Sequence, residues 1–124
     1  MVGDLPAHKI YEDEHTLAFL DIHPINPGHT LVIPKVHEAD FYTLDDTFYG
    51  ALMNSVQKVA RLVNSTLAPK KVGLAVAGFD VSHAHVHVIP LHHENDLTSE
   101  KLLQGTLGNP TPAELDEVAK QMLA

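Results

Sequence analysis

Apolar and polar residues change period several times along this chain, and each change marks an element. The longest regular stretch runs from Leu44 to Leu67. Phe48, Leu52, Val56, Val59, Ala60, Val63 and Leu67 recur at helical spacing, with Gln57, Lys58, Arg61 and Asn64 on the other side. The spacing predicts one long amphipathic helix lying on a sheet, capped by Asp45 or Asp46 and ended by Pro69. Ahead of it stand three short β-favouring runs: His8 to Glu12, Thr16 to Ile22, and His29 to Pro34. The first two are close enough to pair as a hairpin, and His8 and His15 are expected at the surface. Pro24 and Pro27-Gly28 break the backbone between the second and third, which makes a defined loop there.

After the helix, Val72 to Gly78 is apolar almost throughout, and a strand buried on both sides is expected. His83-Ala84-His85-Val86-His87-Val88-Ile89-Pro90 then alternates strictly. Successive side chains of a strand point to opposite faces, so His83, His85 and His87 are expected to share one face as a site floor, with Ala84, Val86 and Val88 in the core behind it. His92-His93-Glu94-Asn95-Asp96 reads as a polar surface turn, and the stretch from 91 onward as a loop-rich extension. It ends in a short helix: Thr111-Pro112-Ala113-Glu114 is a capping box with proline in the first turn, and Leu115, Val118, Ala119, Met122 and Leu123 form one stripe. That stripe packs on the domain or on a partner.

Composition narrows the partners. A chain of 124 residues suits a single domain. Sixteen acidic against eight basic residues give a net charge of -8, and the longest basic run is Lys70-Lys71. Duplex nucleic acid needs a basic surface, so it is not an expected partner. The absence of cysteine removes a disulfide framework, a thiolate nucleophile and Cys-based zinc sites, in keeping with a reducing cytoplasm. No stretch reads as a secretory signal or a membrane span.

The histidine row carries the chemistry. Imidazole has a donor and an acceptor nitrogen and titrates near neutrality, so three converging copies suit nucleophilic attack, proton transfer or metal binding. His85, flanked on both sides, is the best placed nucleophile toward phosphorus, with His83 or His87 donating to phosphate oxygens. A row of three histidines with water is equally a competent metal site, and spacing leaves the two readings level. Asp21 and His29, at the two ends of the proline loop, bring a carboxylate and an imidazole to one sheet edge.

His83 to Ile89 matches His-φ-His-φ-His-φ-φ, with φ hydrophobic, the pattern that names the histidine triad (HIT) family. The likeness extends, in order and spacing, through Leu5 to Asp13, Leu17 to Ile22 and Asn26 to Lys35. The chain thus resembles that family over nearly everything from Leu5 to Pro90. The resemblance implies an α+β domain with an antiparallel sheet of about five strands, one long helix and a two-fold dimer. It also implies chemistry at the α-phosphate of purine nucleotides without a metal or other cofactor. By position, His85 would be the nucleophile, His87 would contact the phosphate, His83 would hold the nucleophile's strand and tautomer, and His29 would complete the cluster. Phe19 and Ile22 would line the base pocket with Leu31 beside them, and Asp21 would bind the ribose hydroxyls.

The chain departs from the family in lacking Cys-x-x-Cys, so no structural metal is expected, and in placing Asp80 and Ser82 before the triad. Asp80 would bring negative charge near the phosphate, which would either weaken anion binding or favour a cationic leaving group. The expected activity is that of a Hint-type hydrolase or transferase acting on nucleoside phosphoramidates or similar nucleotidyl compounds. A metal-dependent hydrolase and a purine-nucleotide-binding protein with incidental catalysis are the alternatives.

Overall fold

Five strands form one antiparallel sheet in the computed structural model, which describes residues 8–76, 82–97 and 110–124. They are β1 (Lys9–Glu12), β2 (Thr16–Leu20), β3 (Thr30–Pro34), β4 (Lys71–Ala75) and β5 (Val86–Leu91), in the order β1-β2-β3-β5-β4. The β1–β2 turn is shaped by Asp13, whose Oδ1 accepts the backbone N–H groups of His15 at 2.9 Å and Thr16 at 2.8 Å. A short polar side chain satisfying the backbone two and three residues on fixes such a turn.

Alternation puts Ala18, Leu20, Val32, Val86 and Val88 on one face of the sheet, where they are buried with Ile10. Helix α1 (Asp46–Leu67) covers that face with Leu52, Val56, Val59 and Val63. Asp45 caps its start by accepting the Phe48 N–H at 2.8 Å. Ala68, in the left-handed region at φ 47, ends it just before Pro69. Helix α2 (Pro112–Leu123) begins with the expected capping box, Thr111 to Glu114 and back. It adds Leu115 and Met122 to the same core, and its Asp116 pairs with His8 at 3.0 Å, so the stripe packs on the domain. Both helices therefore occupy one side of the sheet.

Three expectations need correction. The strand from Val72 is not buried on both sides: β4 is an edge strand, with Leu74 46% exposed and Val76 47% exposed. Continuous apolar character there reflects an uncovered edge. The helical stripe also contains a polar residue, because Ser55 is buried and its Oγ lies 2.6 Å from Thr16 Oγ1. Finally, the turn after β5 is polar but not all surface: Asp96 is fully buried. No helix among the described residues is long and apolar enough to cross a membrane.

Candidate active site

The helix-free face of the sheet carries the histidines. Phe19 pairs with Leu31, Leu31 with His87, and His87 with Ala75, so Phe19, Leu31 and His87 stand in one line across β2, β3 and β5. Only His87 of the triad lies within β5; His83 and His85 precede its first residue. That segment is tied to the stretch before α1, where the Ala84 N–H donates to the carbonyl of Glu38 at 2.7 Å. The rings of His85 and His87 meet edge to face with centroids 5.0 Å apart. His83 turns elsewhere. Its Nε2 lies 2.9 Å from the Pro34 carbonyl oxygen, and its ring packs near His37. The site floor is thus built from His85, His87 and His29, and the ring of His83 braces the approach to β5.

The hydrogen bonds fix which ring nitrogen carries each proton. His85 Nδ1 lies 2.9 Å from the His83 carbonyl oxygen, an acceptor only, so Nδ1 holds the proton and Nε2 keeps its lone pair. His29 Nδ1 accepts the backbone N–H of Ile25 at 3.0 Å, so its proton is on Nε2. That proton points to His87 Nδ1, 2.8 Å away, which in turn places the His87 proton on Nε2. Of the ring nitrogens of His29, His85 and His87, two have no partner among the described residues, His85 Nε2 with its lone pair and His87 Nε2 with its proton. Among the described residues no buried side-chain nitrogen or oxygen is unsatisfied, so both reach solvent. A nucleophilic lone pair and a donor stand side by side.

Charge follows the same wiring. Burial, with a smaller contribution from His85, lowers the His87 pKa to about 4. Burial also lowers that of His29, reinforced by His87 and opposed by the carboxylate of Asp21, whose Oδ2 is 3.5 Å from His29 Nε2. Both rings are therefore neutral near pH 7, as the tautomer chain requires. Asp21 leaves β2 with its N–H on the His29 carbonyl at 2.9 Å, and its other oxygen accepts the His23 N–H at 2.9 Å.

Asp21, His29 and His87 offer ligand atoms within 4.8 Å of one another. A cation at His29 Nε2 would push that proton to Nδ1 and break the bond from Ile25. The cluster's donor set fits a hydrogen-bond relay better than a metal centre.

Of the remaining expected site residues, Phe19 and Leu31 are half-buried on the open face and Ile22 is 57% exposed beside Asp21. Asp80 lies outside the described residues. A cavity of about 520 Å³ opens between the 21–29 loop and α2, with Asp21 and His29 in its wall beside Leu20, Ile25, Leu115 and Val118. His85 and His87 do not line it, so it is separate from the reactive nitrogens. Sequence reasoning missed Ile25, whose part is played by a backbone N–H, and the pair Asn26 and Asp96, which tie the loop bearing His29 to the segment after β5. Nothing in an isolated loop Asn and a turn Asp signals that they meet.

Comparison with known proteins places the family and the fold. The chain is 41% identical over 103 residues to Protein hit of Bacillus subtilis, covering 77% of this chain and 70% of that protein. It is 29% identical to adenylylsulfatase HINT3 of Arabidopsis thaliana, covering 98% of this chain and 62% of that protein. A HIT-like protein from Bartonella henselae, 27% identical, superposes with a TM-score of 0.82 over 98% of this chain and 88% of its own. The family model for the HIT domain matches residues 2–94, well over half of the 124. With that match added to the histidine cluster and the five-stranded sheet beneath it, the chain belongs to the HIT family.

Proposed function

We propose that the protein hydrolyses nucleotidyl compounds, nucleoside phosphoramidates foremost, through a covalent intermediate on His85. The observation that carries this reading is the tautomer of His85: its Nδ1–H is engaged by the His83 carbonyl, leaving Nε2 as a free lone pair beside the His87 donor. The Nε2 lone pair attacks the α-phosphorus, a P–N bond forms, and the bond from phosphorus to the leaving group breaks. The leaving group departs with the bonding electron pair and takes up a proton. Water then attacks phosphorus, the P–Nε2 bond breaks, and the proton released by water balances the one the leaving group carried off. His85 returns neutral with Nδ1 protonated, and a nucleoside monophosphate is released.

His87 Nε2–H donates to a non-bridging oxygen as charge builds there. The line of Phe19 and Leu31, with Ile22, supports a flat purine on the open face, and the Asp21 carboxylate suits vicinal ribose hydroxyls as an acceptor. The adenylylsulfatase relative supports a nucleotidyl substrate broken at a good leaving group. A two-fold dimer is part of the same proposal: exposed Leu74 on edge strand β4 lines one groove with Met53 of α1, which is also exposed. Leu74→Glu is expected to shift the particle from dimer to monomer by light scattering; an unchanged mass contradicts that interface.

Release of AMP from an adenosine 5'-phosphoramidate, measured in excess EDTA with His85→Ala alongside, tests the reaction. The expected result is turnover that survives EDTA and is lost in the variant. Turnover lost in EDTA moves the histidines to metal chemistry, and nucleotide binding without turnover supports the binding-protein alternative.

A further inference from the structure

The loop that carries His29 is anchored by a buried carboxylate far away in the chain. Asp96 is 2% exposed, and its Oδ2 accepts Asn26 Nδ2–H at 2.9 Å, the His92 N–H at 2.9 Å and the His93 N–H at 3.1 Å. Asn26, itself buried, also donates through Nδ2 to the Pro90 carbonyl at 2.9 Å. Its own carbonyl accepts the His29 N–H at 3.1 Å. The next residue back, Ile25, supplies the N–H that holds His29 Nδ1. Two of the contacts that hold His29 in this loop, the Ile25 N–H on its Nδ1 and its own N–H on the Asn26 carbonyl, therefore lie at or next to Asn26.

We propose that Asp96 and Asn26 are positioning residues for the nucleotidyl-transfer reaction, acting through His29 on the orientation and tautomer of His87. This inference rests on the reaction proposed above. A carboxylate collecting three N–H donors in a buried site is a strong and directional anchor. The anchor keeps Ile25 N–H aimed at His29 Nδ1, and that bond forces the His29 proton onto Nε2. His29 can then only donate to His87 Nδ1, and His87 can only present Nε2–H to the open site. If the loop shifts, Ile25 releases Nδ1, His29 becomes free to exchange tautomers, and the His87 proton is no longer confined to the phosphate side. The His85 bond to the His83 carbonyl lies outside this chain of contacts, so the nucleophile's own tautomer is unaffected.

The variants are Asp96→Asn, which keeps the shape but weakens the acceptor, and Asn26→Ala, which removes the link. The nitrogen shifts of the histidine rings, read by long-range ¹⁵N correlation spectroscopy on the uniformly labelled full chain, report the tautomers independently of activity. In the unsubstituted protein His29 and His87 are expected as Nε2–H and His85 as Nδ1–H. In both variants His29 and His87 are expected to show mixed tautomers while His85 is unchanged. The value of kcat should fall by about ten- to a hundredfold, the scale of a small misplacement at a reacting centre, with KM moving much less. Ser55→Ala, which loosens a buried bond remote from the histidines, serves as the control with unchanged tautomers and kcat. Wild-type tautomers and kcat in folded Asp96→Asn overturn the inference. Absent turnover in the unsubstituted protein, with the tautomers as described, overturns the reaction instead and leaves the wiring standing.

Discussion

The polar cluster around Asp13 and the one around His29, His85 and His87 lie on opposite sides of the sheet, and they differ in how they end. On the helix side Asp13 collects the His15 and Thr16 N–H groups, the Thr16 hydroxyl at 2.9 Å, the Tyr11 hydroxyl at 2.8 Å and the Ser55 hydroxyl at 3.2 Å. Burial works against that carboxylate, yet the His15, Tyr11 and Thr16 donors hold its pKa far below the usual range. Every donor in it ends on an acceptor inside the cluster. On the open side the chain Ile25 to His29 to His87 stops at a ring N–H facing solvent, and the neighbouring chain from His83 to His85 stops at a lone pair. A network that closes on itself stabilises; a network that ends in an unfilled donor and an unfilled acceptor leaves room for a substrate to complete it.

Substitutions on the two sides should separate activity from stability. The largest expected effect is on the open side: His85→Ala removes the proposed nucleophile and should lower kcat by about a thousandfold or more, read by AMP release, with little change in unfolding midpoint. His29→Ala comes next. It frees the His87 tautomer and should cost about a hundredfold in kcat, and it also leaves the Ile25 N–H without its partner, worth about 1–3 kcal/mol in urea unfolding. On the helix side, Ser55→Ala should destabilise by about 1 kcal/mol and leave kcat unchanged. A fall in its kcat would show that the two clusters are coupled through the sheet.

Acid should distinguish the clusters by pH window. His29 and His87 have native pKa values pushed below the ordinary imidazole value, so the unfolded chain binds more protons than the native one between about 6.5 and about 4. Their contribution is fully present above that window and is lost as pH falls through it. Asp13 is also depressed, but from the carboxylate value of 3.8, so its contribution is lost only at lower pH. Unfolding midpoints followed from pH 7 to pH 3 should therefore fall in two stages. His87→Gln should flatten the upper stage alone; an unchanged upper stage would contradict the buried neutral state of the ring.

How far the sequence alone reaches follows the range of the interactions. The helical stripe from Leu52 to Val63, the Asp45 cap and the Thr111 capping box are local, repeated or both, and a linear reading finds them. The alternation of His85 and His87 with Val86 and Val88 likewise placed the rings on one face and the valines in the core. Local pattern fails where the outcome depends on strand order. An apolar run such as Val72 to Ala75 reads the same at the centre of a sheet as at its edge, and β4 lies at the edge. It fails again where the decisive group is a backbone atom, as with the His83 carbonyl and the Ile25 N–H, since every residue carries those. The Asn26 and Asp96 contact joins residues 70 apart, and only the fold brings them together.

In the proposed reaction His85 Nε2 is the atom that attacks phosphorus. Rapid acid-free quenching of the protein during turnover of an adenosine 5'-phosphoramidate, followed by peptide mapping by mass spectrometry, tests it directly. The expected result is a nucleotidyl adduct on the peptide at His85, absent from His85→Ala. An adduct on His83 or His87 instead, or full turnover by His85→Ala, would contradict it.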